Sequence, residues 1–272
     1  MKSISYSKSA IFIIAVLAIF SFTANAEVIV LPSLKVTHDV PKWIESSSPI
    51  SDIVECRPTE EISGTHLCQF RTTGAMMMAL GRANFFIEGY NGLKKLYRKG
   101  DPELNTQYGG FDLRGVDLVK FYEDALEACA KDGTDDCFLS QEKELFETLI
   151  LPETKKNPNF IIITFANQGR VPWRDVVSHE IMHAQYFSDS KYREIVDKFW
   201  VDEVPNEEKA SVKEILYKFY DTSDEGLMKN EFQAFMLMAG AESSFLRHLV
   251  PKYRSSLISK LAAAGIHPVQ VQ

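Results

Sequence analysis

The chain has 272 residues, 45% of them hydrophobic and 25% charged, with a formal net charge of −7. This composition excludes a disordered chain, and the length is enough for one large domain or two small ones around a buried core. An acidic balance without a basic run excludes nucleic acid and anionic lipid as natural partners.

Lys2 and Lys8 precede an unbroken apolar run over 10–20, and Ala24-Asn25-Ala26 supplies a small-x-small cleavage pattern. Residues 1–26 therefore read as a signal peptide cut after Ala26. The run is well short of the roughly 20 apolar residues of a spanning helix. The mature chain is expected in the periplasm or secreted, with no stable membrane insertion. Removing residues 1–26 takes two lysines and no acid, leaving 28 basic against 37 acidic residues, or −9. Cys56, Cys68, Cys129 and Cys137 then meet an oxidising compartment, and their even number supports disulfides. Cys56–Cys68 and Cys129–Cys137 are preferred because each closes a short loop, with Gly133 breaking any helix between the latter two. A four-cysteine zinc site lacks the usual C-x-x-C pairs.

Along 27–72 the pattern is irregular, with strand candidates at 28–31 and 66–70 between Pro32, Pro41, Pro49 and Pro58. Residues 73–99 are helical in period, interrupted by Gly81, Gly89 and Gly92, and 103–115 read as a glycine-rich loop. Leu118, Phe121, Tyr122, Ala125, Leu126 and Cys129 recur at helical spacing. A helix over 141–150 ends at Pro152. Residues 160–165, β-branched and aromatic, form the clearest strand. A helix then opens at Pro172 and runs to about Phe187, with others near 190–201, 206–220, 224–239 and 252–264. The expected fold is α+β and predominantly helical: a helical catalytic region over 151–272, with 27–150 a small domain or lid.

Within the 172–187 helix, His179-Glu180-Ile181-Met182-His183 reads H-E-x-x-H. Residues four apart share a helix face about 6 Å apart along the axis, so both imidazoles can reach one Zn²⁺. Glu180 points to a neighbouring angle, where it can take a proton from a water activated by the metal. Trp173, Val177, Ile181 and Ala184 form an apolar stripe away from the histidines, the arrangement of a core helix with a cleft on another face. Met76-Met77-Met78 could suggest thioether ligands, but consecutive residues point around a helix, and core packing is the better reading. His38, His66 and His267 have no ligand spacing.

Over 179–183 and the preceding strand, the chain resembles the zincin metallopeptidases. The resemblance implies a peptide or protein substrate, one zinc ion per chain, and a sheet whose edge strand lies beside the motif helix; residues 160–165 are the candidate for that strand. Its metzincin form needs a glycine and a histidine where Tyr186 and Asp189 stand. The gluzincin form, with a glutamate from a later helix after an asparagine, is closer: Asn230-Glu231 fits it and makes Glu231 the expected third ligand beside His179 and His183. Asp221, Asp224, Glu225 and Glu242 are the other carboxylates for that role. Phe235 stands where many gluzincins carry an aspartate that orients a ligand histidine, so that support must come from elsewhere. Tyr217, Tyr220, Arg247 and His248 are candidates for holding a developing oxyanion. The competing reading is a non-catalytic zinc-binding exported protein on the same scaffold, which a missing cleft or a fourth protein ligand would favour.

Overall fold

The run Phe160-Ile161-Ile162-Ile163-Thr164-Phe165 shows no apolar–polar alternation, the pattern of a strand covered on both faces. In the computed structural model, which describes residues 33–34, 53–99, 101, 108–134, 136–168 and 171–271, it lies in β5 (Ile161–Gln168), within a four-stranded mixed sheet. Parallel β3 (Thr65–Thr72) pairs with one edge of β5 and antiparallel β4 (Gly110–Arg114) with the other, while β2 (Ile53–Pro58) pairs antiparallel with β3. Separately, β1 (Ser33–Leu34) and β6 (Gln270–Val271) form a short parallel pair.

The two faces of the sheet carry two cores. On one, Phe70, Leu113 and Ile162 meet Met76 and Leu80 of α1 (Thr73–Ile87), Phe121 of α2 (Gly115–Lys131) and Leu145 of α3 (Ser140–Leu145). On the other, Leu67, Ile161 and Ile163 meet α5 (Trp173–Ser188) through Val177 and Ile181, the stripe expected to face inward. Against α5 pack α6 (Ser190–Glu203) and α8 (Glu225–Leu237), with α9 (Val250–Ala263) against both of these and α7 (Asn206–Leu216) against α8. The α+β, predominantly helical class is thus as expected. Met76 and Met77 are core residues and Met78 is exposed.

Several expectations are corrected. Strand β5 is interior, hydrogen-bonded to β3 on one side and β4 on the other, and cannot be the substrate-side edge. The edge is β4, within the segment taken for a glycine-rich loop. There Phe111 and Leu113 turn to the first core and Asp112 to the opposite face, a period of two. Helix α1 stops at Ile87, and Gly89 follows with φ of 93°. Pro152 does not end its helix. A π-turn, Phe146–Ile150, shifts the hydrogen-bond register, and Pro152 sits in the first turn of α4 (Leu151–Lys156), where a missing N–H costs little. Strand β5 pairs on both sides with strands from before residue 150, so described residues from both parts of the chain share one sheet.

Both expected disulfides are present. Cys56 and Cys68 face each other across β2 and β3, and Cys129 at the end of α2 reaches Cys137 because Gly133 turns the chain with φ of 71°. Two disulfides suit an oxidising, exported environment. None of the described helices is long and apolar enough to cross a membrane. The signal segment 1–26, the strand candidate 28–31 and His38 lie outside the described residues.

Candidate metal centre

Helix α5 crosses the face of the sheet that carries Asp112 and packs against α8, and the side chains at that crossing are acids and histidines. His179, Glu180 and His183 are buried on α5 despite their polarity, as is Glu231 on α8. The His179 and His183 Nε2 atoms are 3.0 Å apart, and the Glu231 carboxylate lies 3.5 Å from one and 3.6 Å from the other. Ligand atoms bound at about 2.1 Å around a tetrahedral ion stand about 3.4 Å apart, close to the contacts that Glu231 Oε2 makes with His179 and Glu231 Oε1 makes with His183. The buried Glu231 Oε2 has no hydrogen-bond partner. The group could therefore hold a metal ion.

Electrostatics point the same way. Burial lowers the His179 pKa to about 3 and that of His183 to about 4, where Glu231 opposes the shift and His179 adds to it. Both rings are neutral at pH 7 and keep a lone pair for a metal. Burial raises the carboxyls of Glu88, Asp112, Glu180 and Glu231, and their mutual repulsion adds to the shift in the first three. No Lys or Arg among the described residues ion-pairs with any of the four. Lys94 acts on Glu88, but its ammonium is bonded to Asp224 at 2.8 Å. Buried carboxyls this close together are costly to ionise unless a cation offsets them.

Asp112 and Glu88 were not singled out from sequence. Asp112 hydrogen-bonds Glu180 in the sense that favours the proton on Asp112, and its Oδ1 is 3.7 Å from His183 Nε2. With Glu180 and His183 it makes a second grouping that could hold a cation. The missed signal was Phe111-Asp112-Leu113, an acid between two apolar residues at strand period. Gly110 lets this strand come close: a Cβ there would lie 2.5 Å from the Thr164 carbonyl and 2.9 Å from Glu180 Oε1.

Support for the histidines comes from α8. Asn230 acts on His183 in the sense that raises its pKa, and its Oδ1 accepts from Gln233 Nε2 at 3.1 Å. Gln233 Oε1 in turn accepts from the Tyr192 hydroxyl at 2.5 Å. Phe235 packs on His179 with ring centroids 4.5 Å apart.

The alternative ligands are placed elsewhere. Asp189 caps α6, accepting from the Lys191 and Tyr192 amides. Asp224 caps α8, Asp221 accepts from Ser223, Glu225 binds Trp200 and Lys213, and Glu242 pairs with Arg254. Of the oxyanion candidates, Tyr220 is at the site, where its hydroxyl favours the ionised form of Glu231. Tyr217 is exposed beside Gly92, and Arg247 and His248 are exposed as well; none of the three lines the cavity at the histidines. His66 packs edge-on against Phe160.

A cavity of about 320 Å³ opens onto His179 and Glu180, lined also by Tyr108, Gly109 and Gly110 beside the edge strand. No protein-family model, curated protein or solved structure matches the chain.

Proposed function

We propose that this protein is a zinc-dependent peptidase, with His179, His183 and Glu231 as metal ligands and Glu180 as general base. The observation that carries the reading is the convergence of two neutral Nε2 atoms, 3.0 Å apart, on the buried Glu231 carboxylate, whose Oε2 has no hydrogen-bond partner, with Glu180 beside them. When bound, zinc lowers the pKa of a water toward neutrality and polarises a carbonyl.

The chain's own groups supply the remaining chemistry. An extended peptide is held along the outer edge of β4, which has no strand partner among the described residues. Glu180 takes a proton from the attacking water as its oxygen bonds to the peptide carbon. The same carboxyl gives that proton to the nitrogen as the C–N bond breaks. Asp112 holds the Glu180 carboxyl by its hydrogen bond, and Tyr220 holds the Glu231 carboxylate as a ligand. The cavity at His179 and Glu180 favours catalysis over a closed structural site, which needs neither a base nor access.

Metal analysis of the exported full chain tests this. About one zinc per chain is expected, lost in His183→Ala and Glu231→Ala. Glu180→Gln should keep its zinc and lose roughly 10²- to 10⁴-fold in peptide cleavage. A metal-replete wild type without bound zinc sinks the reading.

A further inference from the structure

The cavity contains one charged side chain that the proposed chemistry does not use. Asp175 stands one turn before His179 on α5, about 6 Å from it along the axis, and lines the same hollow. Its carboxylate is pressed against the chain that leaves α8. A Cβ on Gly240, which has φ of 68°, would lie 2.6 to 2.8 Å from the Asp175 carboxyl atoms. No Lys or Arg among the described residues ion-pairs with Asp175. Arg174 turns instead over the Trp173 ring, and the Ser243 and Ser244 hydroxyls nearby donate to the Gly240 and Ala241 carbonyls. Partial burial raises the Asp175 carboxyl pKa.

Aromatic side chains line much of the rest of the wall. Tyr108, Phe219, Phe245 and Phe235 follow one another with ring centroids 6.4, 5.1 and 6.0 Å apart, and Phe235 closes onto His179. A purely apolar guest would leave Asp175 desolvated and unpaired. A cation on an apolar stem satisfies both parts, because the stem lies along the rings, which also attract the charge, while the charge reaches the carboxylate.

Resting on the peptidase reading above, we propose that Asp175 is a specificity-determining residue that selects substrates with a lysine or arginine side chain next to the scissile bond. One helical turn between Asp175 and His179 matches the reach of such a side chain from a peptide held at the metal. A free α-amino group is too close to its own carbonyl to span it.

The test uses the zinc-loaded full chain and peptides blocked at both ends, varied at one position among lysine, arginine, norleucine and citrulline. Lysine and arginine should exceed their neutral counterparts by at least about tenfold in kcat/KM, equivalent to about 1.4 kcal/mol. Asp175→Asn should bring that ratio to about one while keeping its zinc and its norleucine rate. Asp175→Lys should shift preference toward an acidic side chain. Binding of the lysine and norleucine peptides to Glu180→Gln, followed by fluorescence anisotropy, reads the same ratio without turnover. If no peptide is cleaved, the peptidase reading fails and the binding ratio still decides the role of Asp175. Equal kcat/KM for lysine and norleucine, a ratio unmoved by Asp175→Asn, or a preference that follows a free N-terminus overturns the proposal. An unmoved ratio with lowered stability would leave Asp175 as a helix N-terminal acid only.

Discussion

Two regions of this molecule bury carboxylates, and they differ in where the compensating charge comes from. Between α1 and α3, Glu142 is 1% exposed and meets Arg82 Nη1 at 2.8 Å. Arg82 also donates to the Tyr97 and Cys137 carbonyls, and the Leu139 amide donates to Glu142. Around the crossing of α5, α8 and β4, four carboxyls that raise one another's pKa lie near two neutral histidines, with no Lys or Arg ion-paired to them among the described residues. The first region is an internal pair within the chain; the second is a group of side chains that could hold a metal ion. The difference teaches that burial of charge alone does not mark a functional site. A site is marked where the protein leaves the counter-charge to be brought in.

The largest expected effect breaks the complete pair. Arg82→Met should cost about 3 to 5 kcal/mol at pH 8, because Glu142 is then buried with its cation removed. Chemical denaturation of the metal-free protein measures it. A cost under 1 kcal/mol would mean that water already reaches Glu142 and that the two regions are not different in kind.

The contrast also shows what was legible in the sequence. His179, Glu180 and His183 could be read because helical period fixes their geometry from spacing alone. Glu231 followed from an acid in an otherwise apolar helix, where something must satisfy it. The cysteine pairing followed from short loops and Gly133. Asp112 and Glu88 were not legible in the same way: each is a single acid whose partners come from segments far away in the chain, and Gly109-Gly110 drew attention to a loop where a strand lies. The order of strands was half legible. The β-branched, aromatic run 160–165 was legible as a strand, but its place between two others was not, and the edge role that the zincin resemblance suggested falls to β4. Arg82–Glu142 was invisible, since a 60-residue separation leaves no local signal.

A pH series sharpens the comparison next. Burial, partly opposed by Arg82, raises the Glu142 pKa from 4.5 to about 7. A raised carboxyl holds its proton more tightly folded than unfolded, so its contribution is fully present below pH 4.5 and is lost as pH climbs to about 7. The wild type should therefore lose stability over that window by an amount on the order of 3 kcal/mol from this group. Glu142→Gln should flatten the profile there. A profile unchanged by Glu142→Gln would show that Arg82 outweighs burial.

The Cys129–Cys137 disulfide belongs to the same region, because the Cys137 carbonyl accepts from Arg82 Nη1 at 3.1 Å. Cys129→Ser with Cys137→Ser should cost about 2 to 3 kcal/mol through the freed loop. Combined with Arg82→Met, the costs should add to less than their sum, since both changes disturb one cage. Full additivity would separate the disulfide from the pair.

The smallest effect has the opposite sign. In the metal-free protein, Glu180→Gln should raise stability by about 1 kcal/mol near neutral pH, because it removes one of several repelling, desolvated carboxyls. The amide keeps the shape of the side chain and can still bond Asp112. With zinc restored, the gain should shrink, since the ion then supplies the charge that the hollow lacks. The same isosteric change at Glu142 should be destabilising, as it leaves Arg82 buried and unpaired. Opposite signs from one substitution type, measured by denaturation with and without zinc, follow only if one region carries its own cation and the other waits for it. A destabilising Glu180→Gln in the metal-free protein would place an unrecognised positive group, or a tightly shared proton, among the four carboxyls.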